Sequence, residues 1–156
     1  LQKDHRLGAI AAGFEWMIRF KKIKDVNFET FQDDFNLQVN GEGKNDLLFT
    51  AEAVKKIYPH ISIKCQSFST GKEKVAFIKE LVSKNVPSML SLTLSSKSNV
   101  SHEMPVTFYD ENYVRLVWRV GDTKNPDMLR IAYDDILFRH VYWDGGKEVA
   151  WLERQS

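Results

Sequence analysis

The sequence predicts an α+β fold, with N-terminal helices packed on one side of a mostly antiparallel sheet formed by the C-terminal half. Three observations predict it. Before Pro59, apolar residues recur at helical spacing. After Pro59 the period shortens towards two. The last third is a series of short apolar runs separated by turns rich in Asp, Asn and Gly. A chain of 156 residues is long enough to bury a core, so a single domain over 1–156 is expected.

Each element has its own signal. From Leu7, apolar residues fall at Ile10, Ala11, Phe14, Met17 and Ile18, which is one face of a helix over Ala9–Phe20. Asn27, an N-cap type of residue, opens a second short helix that shows Phe28, Phe31 and Phe35. Asn40–Gly43, "NGEG", is a turn. A third helix runs from about Asp46 to Tyr58, and Pro59 stops it. His60–Cys65 alternates like a strand. Thr70 followed by Glu73 has capping-box spacing and starts a helix over Lys72–Lys84, with Val75, Ile78, Leu81 and Val82 on one face. Asn85-Val86-Pro87 ends it. Ser88–Leu94 is a nearly continuous apolar run, suited to a buried strand. Met104–Tyr109 and Tyr113–Val120 read as strands joined by Asp110-Glu111-Asn112, and Gly121–Asp127 as a loop. Met128–Phe138 fits a short strand followed by a helical turn. Val141–Trp143 and Glu148–Trp151 flank Asp144-Gly145-Gly146, a hairpin signal.

Composition narrows the function classes. Lys and Arg number 22 against 21 Asp and Glu, for a net charge of +1. That balance gives no electrostatic case for nucleic acid or an anionic membrane as the main partner. No apolar run approaches the roughly 20 residues of a membrane-spanning helix, so membrane insertion is not expected. Cys65 is the one cysteine, which excludes an internal disulfide and favours a reducing, cytoplasmic setting. No signal peptide is visible and the chain does not start with Met. A processed product or a domain excised from a longer chain is expected.

The order of segments resembles the papain-like cysteine peptidases, in particular the compact bacterial branch of bacteriocin-processing (double-glycine leader) peptidases. That family begins with a Gln, a few polar residues, and a Cys-Gly that opens a central helix. Here Gln2 is followed by Leu7-Gly8 and the helix Ala9–Phe20. The family then has a helix, a Pro-containing turn and a buried strand, matched by Lys72–Lys84, Val86-Pro87 and Met89–Leu94. Next comes a His heading an apolar strand and a second strand ending in the residue that orients it. His102–Asp110 and Tyr113–Val120 match these. The resemblance covers most of the chain by order and spacing rather than by a rigid motif.

Carried over residue by residue, the resemblance puts Leu7 at the nucleophile position, His102 at the catalytic His, Gln2 at the oxyanion position and Trp118, beside Arg119, where Asp or Asn should orient the imidazole. Leucine cannot attack a carbonyl, and tryptophan cannot accept a proton from a histidine ring. What remains is a peptidase fold without peptidase chemistry. Its implied task is to bind a peptide or protein segment in the old substrate groove, around Gly8, Trp16 and His102. No cofactor and no metal is implied.

Each of these residues also has an ordinary reading. Leu7 serves equally as the first apolar residue of a core helix, His102 as a loop histidine, and Gln2 as a solvated residue near the chain start. Cys65 stands in an alternating strand without a His or a Gly turn beside it and reads as a small buried hydrophobe. His5, His60 and His140 show no zinc-ligand spacing. Asp134-Asp135 supplies a stand-in carboxylate for His102 or simply an exposed acidic pair. "NGEGKND" lacks the strand and the Ser/Thr of a phosphate-binding loop, and there is no G-x-S-x-G elbow. Two alternatives stay open: an active hydrolase whose nucleophile lies elsewhere, and a non-catalytic structural or interaction domain.

Overall fold

A computed structural model describes residues 8–39, 47–92, 102–109, 113–119, 127–132 and 148–153. Helix α1 (Gly8–Phe20) follows the predicted stripe, and Ile10, Ala11, Phe14, Met17 and Ile18 are all buried. Helix α2 (Phe31–Val39) starts four residues later than the Asn27 expected to open it. The Asn27 side chain accepts from the Glu29 amide at 3.1 Å, closing a local turn instead. The helix proper starts after Thr30, whose hydroxyl donates to Asp34 Oδ2 at 2.9 Å. Helix α3 (Leu47–Ile57) ends before Pro59, as expected.

Strand β1 (Ile63–Ser67) lies further along than His60–Cys65. The Ile61 amide donates to the Tyr58 carbonyl at 3.0 Å, so the residues just after α3 are used up in a turn. Helix α4 (Gly71–Ser83) opens on the capping box read from the sequence: the Thr70 hydroxyl accepts from the Glu73 amide at 3.2 Å. It is followed by β2 (Ser88–Leu92), β3 (His102–Tyr109), β4 (Tyr113–Arg119), β5 (Asp127–Ala132) and β6 (Glu148–Leu152). Thr93 and Leu94 of the expected β2 run lie outside the described residues, as do 133–138 and the Val141–Trp143 arm.

The strands form one six-stranded sheet in the order β1-β6-β2-β3-β4-β5, with every described pair antiparallel. The first half of the chain thus contributes β1 to a sheet expected to come from the second half. The turn and first arm of the hairpin expected to end in Glu148–Trp151 lie outside the described residues. β6 is bonded to β1 along one edge and to β2 along the other.

Strand alternation divides the residues of the sheet between two faces. Ile63, Met89, Ala150 and Leu152 join Phe14, Met17, Phe31, Phe35 and Val54 in the main cluster beneath α1, α2 and α3. Val149 and Trp151 point the other way, and Phe77 of α4 meets the Trp151 ring edge-on at 4.8 Å. The helices are therefore not all on one side: α4 covers the face opposite α1–α3. The strand pattern of a two-sided buried sheet is the same whichever face a given helix takes.

α1 and α4 end by the same device. Lys22 and Asn85 both adopt left-handed backbone, with φ of 53° and 56°. The following amides, Ile23 and Val86, reach back to Ile18 and Leu81 carbonyls at 3.2 and 2.9 Å. Ile23 and Val86 then line a cavity of about 310 Å³ together with Leu152, with Lys21, Lys84, Asn85 and Glu153 also around it.

Candidate functional site

Two of the segments that carry the resemblance are neighbours. α1, which opens at Gly8, packs against β3, which opens at His102, and more lightly against β2. Gln2 and Leu7 lie outside the described residues. His102 is opposite Leu92 in the β2–β3 register, and Glu103 is opposite Ser91. Trp118 belongs to β4, where the register with β5 shifts between Val117 and Arg119. It stands two residues beyond the Val106–Leu116 pair, towards the His102 end of β3. Asp134 and Asp135 lie outside the described residues, as do His5 and His140.

Trp16, off the main stripe of α1, is half-buried against the core. Its ring stacks on Phe20 at 5.3 Å with an interplanar angle of 18°, and Phe20 is 47% exposed. An aromatic pair thus reaches the surface of α1, and Leu37 and Leu48 are further large apolar side chains that stand exposed. Arg19 joins the same surface: its guanidinium lies 4.1 Å from the centre of the Phe28 ring and 3.6 Å from the Glu15 carboxylate.

Cys65 is half-buried in β1, and its Sγ lies 3.8 Å from Oε2 of Glu148. A carboxylate beside the sulfur is not the histidine pairing that activates a catalytic thiol. His60 sits in the turn after α3, with Nε2 2.9 Å from the Lys24 carbonyl. Among the described residues no three His, Cys, Asp or Glu side chains gather as a metal site would need. No helix among them is long and apolar enough to cross a membrane.

One buried polar cluster was not anticipated from the sequence. Lys74 of α4 is fully buried, and its Nζ donates to the Ser91 carbonyl of β2. The Ser91 hydroxyl accepts from the Glu148 amide at 2.9 Å and lies 3.3 Å from the Glu148 carbonyl. The Glu148 carboxylate in turn accepts from the Leu47 and Leu48 amides at 3.4 and 3.2 Å, at the N-terminus of α3. Burial pushes the Lys74 amine down from 10.5 to about 7, while the nearby Glu148 carboxylate works in the opposite direction. A signal for it existed: Lys74, Ile78 and Leu81 share the i, i+4, i+7 stripe of α4, so a lysine occupies a core position.

No protein-family model and no curated protein sequence matches the chain.

Proposed function

We propose that the chain is a catalytically degenerate papain-like domain that binds an extended peptide or protein segment without cutting it. The observation that supports this best is the packing of α1 against β3. The resemblance expects the helix opened by Leu7-Gly8 and the strand headed by His102 to be neighbours, and an antiparallel sheet to follow. The loss of catalysis is argued from chemistry: leucine offers no nucleophilic atom at residue 7. Binding needs neither group. Backbone edges and apolar side chains hold an extended segment, and the Trp16–Phe20 pair supplies an exposed aromatic surface on α1.

The test is a titration of isotope-labelled protein with a short extended peptide ending in Gly-Gly, followed by NMR, with the peptide checked by mass spectrometry. The expected result is shift changes at Gly8, the Trp16 indole and His102, with the peptide intact. Fragments of the peptide would favour the active hydrolase instead. Shifts confined to other parts of the chain, or none, would leave only a structural or interaction domain.

A further inference from the structure

Lys74 is fully buried, and it sits on a helix that stands apart from the main core. The main cluster beneath α1–α3 contains no residue of α4. α4 holds the opposite face of the sheet with Val75, Ile78 and Leu81, and with Phe77 against Phe68 and Trp151. Lys74 is its polar attachment to the end of the sheet, and the bonds continue through Ser91 and Glu148 to the first turn of α3 on the far side.

We propose that Lys74, Ser91 and Glu148 form a proton-linked latch, in which the protonation state of the Lys74 amine sets how firmly α4 is held to the sheet. The sign follows from burial. With α4 seated, the amine gives up its proton at about pH 7 instead of 10.5, because the dry site disfavours the charge more than Glu148 favours it. When α4 lifts and the amine meets water, it recovers its ordinary proton affinity. Lifting therefore takes up a proton between these two values, and raising the pH through that window seats α4 more firmly. Below about pH 7 the amine is charged in both states, and the dependence levels off.

Other ionisable groups lie on the elements beside the amine. β6 supplies Glu148, and β1 supplies the Cys65 thiol bonded to the same carboxylate. β3 sets Glu103 and His102 opposite Ser91 and Leu92. On α4 itself the neighbouring Lys72 and Glu73 are exposed. His102 lies on the strand beside β2, so its replacement is the necessary control.

The experiment is amide hydrogen exchange, read as protection factors, from about pH 6 to about pH 9. In the unaltered protein, protection of Val75–Leu81 should rise by up to about tenfold per pH unit above about pH 7, while α1 amides change much less. Lys74→Met should flatten the α4 profile, and His102→Gln should leave it in place. Glu148→Gln should move its onset to lower pH, because the group that favours the charged amine is gone. A flat α4 profile in the unaltered protein would overturn the proposal. So would a slope that survives Lys74→Met, or one equal in α1 and α4.

Discussion

Replacing Lys22 by glycine should make the protein more stable, although Lys22 touches nothing that its removal would improve. Lys22 holds φ of 53° so that the Ile23 amide can turn back to the Ile18 carbonyl and end α1. Left-handed backbone costs an L-residue with a Cβ roughly 1–2 kcal/mol. Glycine avoids that penalty but has more freedom to lose from the unfolded chain, on the order of 0.5–1 kcal/mol. The net expectation for Lys22→Gly is a gain of about 0.5–1 kcal/mol. Asn85, at φ of 56° in the matching turn of α4, provides the internal control. Asparagine tolerates this conformation, so Asn85→Gly should change stability by no more than a few tenths of a kcal/mol. Lys22→Val should cost about 1 kcal/mol, since a β-branched side chain suits this backbone worst. Urea unfolding at fixed pH, with the slope checked for constancy, measures all three. If Lys22→Gly lost stability and Lys22→Val did not, the left-handed turn would not be what ends α1.

Three further outcomes are expected. Thr70→Ala should cost about 1 kcal/mol in urea unfolding, and Thr70→Asp should restore most of it, because the hydroxyl bonded to the Glu73 amide caps α4. Phe14→Ala should cost about 3–5 kcal/mol, since the ring is fully buried beside Phe35 at 6.2 Å and belongs to a core cluster drawn from three helices and the sheet. At pH 7 Lys74→Met should make the fold more stable than it is with the buried amine. Removing a desolvated amine outweighs the lost bond to Ser91, and the advantage should shrink towards about pH 10 as the amine becomes neutral in both states.

Local signals were legible in the sequence, and long-range ones were not. The stripe Ile10, Phe14, Met17, Ile18 fixed α1 because helical spacing is written within the segment itself. The Thr70–Glu73 box placed the start of α4 for the same reason. Asn27 misled, because an Asn side chain closes a short turn with its own backbone as readily as it caps a helix, and nothing nearby distinguishes the two. The insertion of β6 between β1 and β2 depends on pairing residues far apart in the chain, which composition and period do not encode. The same holds for the side taken by α4. At the candidate site, the sequence brought the helix after Leu7 and the His102 strand together, and these elements do pack. Lys74 was visible as a charge on an apolar stripe, but its meaning depends on Ser91 and Glu148, 17 and 74 residues away.

The most direct measurement of the central claim is the thiol pKa of Leu7→Cys, in a Cys65→Ala background, from alkylation rate against pH. A papain-like site predicts a thiol well below its ordinary value of about 8.5, held there by the start of α1 and by His102, and raised when His102→Ala is added. An ordinary or raised thiol, indifferent to His102, would contradict the papain-like account and leave Leu7 as the first core residue of α1.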